Sequence, residues 1–381
     1  MIRAGLILLI SCSLLVHAKA QEKEKLIFNG QLSAFGNFSP DVKNEFLFGG
    51  RYIPELSYAI PLDSTGINKI DFFASANISG SANFHSLDDI NADGSIDPYR
   101  IWARYSGNQF EVRVGLQKID FGVATVLRPL QWFNQVDPRD PLAITNGVYA
   151  ALGRYYFLNN ANIWFWTLYG NKETKGYEVL KTTPKTPEIG GRIQYPIPRG
   201  EIGLSYHHRQ ASSENQELIP HYEKIPENRY GLDVKFDVTI GLWLEGSHIH
   251  KSMDLGILTN QTLLNVGADY TFGIGSGLNV VGEHLLGTSD QEAFSFENPS
   301  NSTAVTLAYP LGLFDNLSAV STYNWEGSYA SVFLNYQHQF PKFLGYIMAF
   351  YNPDTRAGLI ESEPEYSLTG PGIRLMLVYN H

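Results

Sequence analysis

Cysteine is almost absent from this chain of 381 residues, and its single occurrence, Cys12, lies in an apolar N-terminal segment. Arg3 precedes an apolar stretch from Leu6 to Val16, and Ala18-Lys19-Ala20 has the small residues of a cleavage site. We therefore expect residues 1–20 to be a signal peptide that directs export. Its removal would leave a mature chain without thiols, which excludes disulfides, thiolate metal sites and cysteine nucleophiles.

Long apolar runs and an excess of positive charge are also missing. After residue 21 no segment has the roughly 20 apolar residues that a membrane-spanning helix needs. The chain has 28 Lys and Arg against 38 Asp and Glu, a formal net charge of −10 that becomes −12 without Arg3 and Lys19. Because such an acidic chain repels phosphate backbones, we expect no nucleic-acid partner.

Aromatic residues are abundant, with 22 Tyr and 22 Phe, and 35 glycines are spread along the chain. Apolar and polar residues alternate with a period of two in many segments, which is typical of strands with one apolar face. In Gln109–Gln117, one face is apolar and the other is polar, with Phe110, Val112, Val114 and Leu116 set against Glu111 and Arg113.

The same alternation predicts about eighteen strands, many of them close to the roughly 9–11 residues that cross a bilayer at a tilt. We therefore predict an all-β fold for residues 21–381, a transmembrane antiparallel β-barrel of about 16–18 strands with a polar lumen. The predicted strands are Leu26–Phe38, Glu45–Ile60, Ile67–Phe84, Pro98–Ser106, Gln109–Phe121, Gly147–Phe157, Ala161–Gly170, Glu188–Tyr195, Gly200–Arg209, Asn228–Val238, Ile240–His250, Gln261–Gly273, Gly277–Gly287, Ser302–Tyr309, Leu317–Glu326, Ser328–Phe340, Phe343–Tyr351 and Gly370–His381.

Connections between these strands alternate in length, as short turns and long loops do at the two ends of outer-membrane barrels. Short links such as 106–108 alternate with longer polar links such as 85–97 and 172–187. The final strand alternates up to the C-terminus and resembles the assembly signal of such proteins, although His381 replaces the usual aromatic residue. We therefore expect the outer membrane as location, with its lipid and the barrel-assembly machinery as partners.

The segment Phe121–Pro141 interrupts the alternation and is rich in proline and aromatic residues. One interpretation is an ordered segment that folds into the lumen and narrows it, with mixed charges setting selectivity. The other is a packed loop or turn outside the membrane with paired surface charges. The charged residues in question are Arg128, Asp137, Arg139 and Asp140.

A row of basic residues precedes this segment. Arg100 and Arg104 share one face of their predicted strand with Trp102, and Arg113 lies with Glu111 on the following strand. An arginine facing lipid costs about 2–4 kcal/mol at the midplane, so we expect these side chains to point into the lumen. They either guide anions or pair with Glu111 and other lumenal acids.

Residues Asp89 to Asp97 match the first nine positions of a calcium-binding loop. Oxygen-bearing side chains stand at alternate positions and a glycine stands at the sixth. The twelfth position is Arg100, where a bidentate glutamate belongs. A solvated acidic turn and a structural Ca²⁺ site therefore both remain open, and the ligands of that site would be Asp89, Asn91, Asp93, Ser95 and Asp97.

No catalytic motif is evident. The histidines are scattered without the spacing of a metal-binding helix, and His208 has no identifiable serine partner. We therefore expect no enzymatic activity.

With these features in place, the chain resembles the bacterial outer-membrane porin-like superfamily and is most similar to porin-like proteins of Bacteroidetes. The run from Arg113 to Gly122, followed by Arg128-Pro129-Leu130, looks like a porin strand that leads into a long loop. The resemblance implies passive diffusion of small hydrophilic solutes or ions, in a chain that is a candidate for homo-oligomerisation. The alternative is a non-transporting barrel that acts as an adhesin, surface glycan binder or assembly partner.

Overall fold

The computed structural model describes residues 26–40, 45–84, 90–214, 220–297, 299–353, 368 and 370–381. The predicted signal peptide lies outside these residues. The described part of the chain contains a short 3-10 turn at Gly256–Leu258. It also contains nineteen strands, with these bounds: β1 Ile27–Phe38, β2 Phe46–Pro61, β3 Lys69–Phe84, β4 Ile90–Ser106, β5 Phe110–Gln117, β6 Val148–Tyr156, β7 Asn162–Leu168, β8 Lys181–Thr182, β9 Glu188–Ile197, β10 Gly200–Ser212, β11 Ile225–Asp237, β12 Gly241–Lys251, β13 Asn260–Phe272, β14 Leu278–Asp290, β15 Ser300–Pro310, β16 Asp315–Asn324, β17 Tyr329–Gln339, β18 Leu344–Asn352 and β19 Gly370–Asn380.

Eighteen of these strands form a closed antiparallel ring. Each strand pairs with the next along the chain, β7 pairs directly with β9, and β1 closes the ring by pairing with both β2 and β19. The two-residue strand β8 stands outside the ring and pairs with β10. At the seam, the backbones of Gly30 and His381 exchange two hydrogen bonds. The predicted antiparallel barrel of 16–18 strands is therefore confirmed.

Alternate residues of the ring strands face opposite sides of the wall. On β19, Leu375 and Leu377 are 57% and 54% exposed on the outer face, whereas Arg374 and Met376 are 4% and 6% exposed on the inner face. Ring strands such as β10, β11 and β12 repeat this division, because side chains of a strand alternate with a period of two. The outer face is consequently apolar and the inner, lumenal face carries most of the charged groups. No described helix has the length and apolar character needed to cross a membrane.

Two predicted strand boundaries differ from the structure by four residues or more. β4 begins at Ile90 rather than Pro98, because residues 90–97 continue the ladder with β3 instead of forming a loop. β5 ends at Gln117 rather than Phe121. Gly115 has a φ of +126°, and after it Leu116 and Gln117 are both buried, so the alternation is lost before the strand ends. At the last residue of β5, the side chain of Gln117 donates a hydrogen bond to the Ala150 carbonyl at 2.9 Å. This bond fixes the place where the chain leaves the barrel wall.

Candidate functional site

Residues 118–147, here called the inward segment, leave β5, lie inside the barrel and return at β6. Their backbone is held by two lumenal glutamates. The Glu245 carboxylate on β12 accepts hydrogen bonds from the N–H groups of Val123, Ala124 and Leu130 at 2.6–2.8 Å. Irregular backbone cannot use a strand ladder, so these carboxylate oxygens satisfy N–H groups that would otherwise be buried without partners.

The second glutamate, Glu283, binds the next residues of the inward segment. Glu283 on β14 accepts bonds from the N–H and hydroxyl of Thr125 at 2.6 and 2.8 Å, and from the N–H groups of Val126 and Leu127 at 3.1 and 2.7 Å. Glu245 and Glu283 are both buried. Hydrogen bonds to ionised groups are the stronger class, so the two carboxylates fix this part of the inward segment to the wall.

Aromatic packing holds the same part of the inward segment against other strands. Phe121, Trp132 and Phe133 form a buried cluster with Trp166 on β7 and lumenal aliphatic residues nearby. The indole N–H of Trp132 donates to Ser247 Oγ on β12 at 2.9 Å. Of the two interpretations of residues 121–141, the structure thus supports the one in which they fold into the lumen.

The far part of the inward segment reaches the opposite wall. Leu142 packs against a buried cluster that includes Phe35 on β1 and Met348 on β18. Thr145 then accepts two hydrogen bonds from Arg100 on β4, at 2.7 and 2.8 Å. The inward segment therefore crosses the lumen from β12–β14 to the β1–β18 side.

Three of the four charged residues that were predicted in the inward segment form ion pairs with other residues of the same segment. Arg128 pairs with Asp120 at 2.6 Å, and Arg139 with Asp137 at 2.8 Å. Although burial acts to raise the pKa of Asp120, the neighbouring Arg128 guanidinium outweighs it and holds that pKa below the usual range. Burial raises the pKa of Asp140, whose carboxylate accepts bonds from backbone N–H groups.

The predicted basic row lies on the lumenal face of β4 to β6. Arg104 and Arg113 are direct neighbours in the ladder, and Arg154 on β6 lies beside them. Arg100, the third member of the predicted row, instead donates hydrogen bonds to Thr145 of the inward segment. From here on the basic row means Arg104, Arg113 and Arg154. Their carboxylate partners are Asp71, 2.8 Å from Arg104, and Glu111, which lies 3.1–3.9 Å from all three. Of the two alternatives for these arginines, pairing with Glu111 and other lumenal acids is thus present. However, three guanidinium groups share two carboxylates. The row keeps a positive excess and the side chains keep 17–25% exposure.

A further loop, residues 169–187, also turns into the barrel and meets the inward segment. The carbonyl of Gly176 accepts a hydrogen bond from Gln135 at 2.7 Å. The Glu178 carboxylate is completely buried and contacts Arg209, Arg229 and Lys175 at 2.5–3.3 Å. Buried ion pairs of this kind resist separation, because removal of one partner leaves a charge without compensation. The loop is consequently fixed to the β10–β11 wall.

The proposed calcium ligands lie in a strand. Asn91, Asp93, Ser95 and Asp97 share the inner-facing parity of β4, and Asp89 lies outside the described residues. The compact loop assumed for this motif is therefore not formed by residues 90–97. In the part of the chain that the structure describes, no group of three or more His, Cys, Asp or Glu side chains is arranged to hold a metal ion. Calcium binding stays a prediction.

Sequence reasoning missed Glu178, Glu245 and Glu283. The only available signal was the position of Glu245 and Glu283 on the lumenal parity of their strands. Their partners lie 115 to 158 positions away along the chain, and no local pattern indicates them. Whether the predicted lumenal charges line a conducting pathway stays a prediction.

No protein-family model matches the chain, and no curated protein matches it. Solved structures do. OccAB1 of Acinetobacter baumannii superimposes with a TM-score of 0.56 at 9% identity, over 94% of this chain and 97% of that one. OccD3 of Pseudomonas aeruginosa gives 0.55 at 11% identity over 97% and 95%. OmpF of Salmonella typhi, solved with daunomycin, gives 0.51 at 10% identity over 94% and 98%. At such identities the likeness establishes the barrel fold.

Proposed function

We propose that this protein is a porin-like channel of the Gram-negative outer membrane, through which small hydrophilic solutes or ions diffuse passively. The observation that carries the proposal is the inward segment, anchored by Glu245 and Glu283 and crossing the lumen of a closed barrel. A plain structural barrel does not need an ordered constriction of thirty residues held by buried carboxylates.

The two faces of the barrel wall support a location in the outer membrane. The exposed outer face is apolar, with residues such as Leu204, Val266 and Leu377 between 51% and 56% exposed. Such a surface is unfavourable in water and suits lipid, whereas a closed ring leaves no unpaired strand edge in the membrane. The whole-chain likeness to the OccAB1 and OmpF barrels agrees with it.

The proposed selectivity filter is the space between the inward segment and the basic row. Arg104, Arg113 and Arg154 remain partly exposed on the lumenal face, so a passing ion meets their excess positive charge. Rings and rows of charged side chains are a general source of ion selectivity in pores. We propose a preference for anions, and no enzymatic step.

Planar-bilayer recording of the purified, refolded protein tests the channel. We expect stepwise conductance increases from the folded, heat-modifiable barrel, and none from a heat-unfolded sample of the same preparation. Liposome swelling with sugars of increasing size then measures the solute cut-off. A folded barrel that gives neither current steps nor swelling would refute the channel and favour the non-transporting alternative, an adhesin, glycan binder or assembly partner.

A further inference from the structure

β16 differs from the other ring strands of the described chain in that none of its residues is buried. On every other described ring strand at least one lumen-facing side chain is buried. The lumen-facing side chains of β16 stay partly exposed from one end of the strand to the other, and they are Asn316, Ser318, Val320, Thr322 and Asn324. Solvent therefore reaches the inner face of β16 along its whole length.

The space beside β10 to β12 is filled instead. On these strands the lumen-facing side chains of Arg209, Arg229 and Glu245 are 0–1% exposed. The 169–187 loop covers the two arginines through Glu178, and the inward segment covers Glu245. A solute that crosses the barrel does not pass through this packed part, so its path lies elsewhere in the lumen.

The inward segment is anchored on both sides of β16 but not to β16 itself. Glu283 on β14 holds it on one side, and on the other side Leu142 packs against the buried cluster that includes Phe333 on β17. Along the ladder of paired residues, Glu283 lies level with Thr322, and Phe333 lies level with Val320. In the described chain no hydrogen bond or ion pair joins the inward segment to β15 or β16. The segment therefore bridges these two strands and leaves a gap beside Val320 and Thr322.

The wall of this gap is uncharged. The lumen-facing positions of β15, β16 and β17 carry no Asp, Glu, Lys or Arg, and on β15 and β16 they are Ser, Thr, Asn, Ala and Val. Small hydroxyl and amide side chains leave room for water and can donate or accept hydrogen bonds. The basic row lies on another wall, where Arg104 stands two residues before the short-turn end of β4. Charge and width are therefore controlled by different parts of the lumen.

We propose that solutes pass the inward segment on its β16 side, and that Val320 and Thr322 set the width of the passage there. This proposal rests on the proposed channel function and adds the route of its pathway and the residues that limit solute size. The basic row acts on the charge of a solute near the short turns, whereas β16 acts on its size at the level of the inward segment. Pore diameter and lining groups together decide what a channel passes.

Single cysteines map the passage, because Cys12 is the only cysteine of the chain and Cys12→Ser removes it. In that background, Thr322→Cys places a thiol at the proposed passage. Ser321→Cys is the first matched control, on the outer face of the same strand with a valine on each side. Ser205→Cys is the second, on the lumenal face of the filled β10 wall, where Ser205 is 7% exposed. Each folded protein is treated with a methanethiosulfonate reagent that carries a trimethylammonium group.

We expect the reagent to modify the Thr322→Cys protein, as intact-mass spectrometry shows, and to reduce its single-channel current by about half or more. The Ser321→Cys and Ser205→Cys proteins should be neither modified nor changed in current, because lipid and packed protein exclude a permanent cation. Heat-modifiable migration checks the folding of each variant. If Thr322→Cys does not fold, Ser318→Cys replaces it, since Ser318 also faces the lumen on β16.

Three results would overturn the proposal: no modification of the folded Thr322→Cys protein, equal modification of the Ser205→Cys protein, or modification of Thr322→Cys that leaves the current unchanged. Failure of the channel itself is recognised separately, because modification is measured by mass and needs no current. A barrel that is modified at Thr322→Cys but never conducts refutes the channel. A barrel that conducts without modification at Thr322→Cys refutes only the route along β16.

Discussion

The carboxylate of Glu245 accepts a hydrogen bond from the backbone N–H of Leu130 at 2.7 Å, although the two residues are 115 positions apart. This contact joins the middle of β12 to the inward segment across the interior of the barrel. Glu245 is fully buried, and its carboxylate also accepts hydrogen bonds from the N–H groups of Val123 and Ala124. The position of the inward segment, and with it the width of the lumen, depends on such contacts.

The double variant Glu245→Gln/Glu283→Gln tests this dependence. Each glutamine turns one accepting oxygen into a donor that faces backbone N–H groups. Hydrogen bonds to charged groups contribute about 1.5–3 kcal/mol, so we expect a loss of about 2 kcal/mol or more at each position. Single-channel currents should become larger or noisier. The control Glu292→Gln, on an exposed loop, should leave the current unchanged, and equal traces in all three proteins would contradict the anchor.

The basic row predicts an effect on ion selectivity. Arg113→Gln removes one of three guanidinium groups that share Asp71 and Glu111, so the basic row loses its positive excess. We expect the chloride-to-potassium permeability ratio to fall by about twofold at low salt, where screening is weak. Reversal potentials in a potassium chloride gradient measure this permeability ratio. Lys224→Gln removes the same charge from an exposed loop and should not change the ratio; if it does, the row is not the filter.

Two glycines give a matched test of the contact between the loop and the inward segment. Gly176 and Gly66 have φ values of +54° and +68°, so alanine strains both backbones by about 1–2 kcal/mol. A Cβ at Gly176 would also collide with the Gln131 carbonyl, whereas at Gly66 it meets open space. We expect Gly176→Ala to increase proteolysis of the 169–187 loop and Gly66→Ala to leave it intact. Equal cleavage would show that the contact does not hold the loop.

Acid should loosen the inward segment through Asp120. The pKa of Asp120 is lowered in the folded protein, so its ion pair with Arg128 contributes stability above the usual aspartate pKa of about 3.9. That contribution is lost as the pH falls through the lower folded pKa. We expect current noise to rise below about pH 4 in wild type. Asp120→Asn should show raised noise already at pH 7 and a smaller change with acid; an identical pH profile would argue against this role.

Much of the barrel follows from residue alternation. Segments such as Gln109–Gln117 place apolar and charged residues on opposite faces, because consecutive side chains of a strand point to opposite sides. The lumenal side of Arg104 and Arg113 was predictable for the same reason. The extension of β4 over 90–97 was not, since its acidic, glycine-containing sequence also suits a loop and only pairing with β3 makes it a strand.

The sequence by itself determined the wall: which residues face outward, roughly how many strands there are, and where the alternation breaks between β5 and β6. Only the tertiary structure decided what that break does. Residues 118–147 lie inside the barrel because closure of the ring brings Glu245 and Glu283 within hydrogen-bond distance of their backbone. Local periodicity reflects the geometry of one strand, whereas these contacts depend on which walls face each other across the lumen.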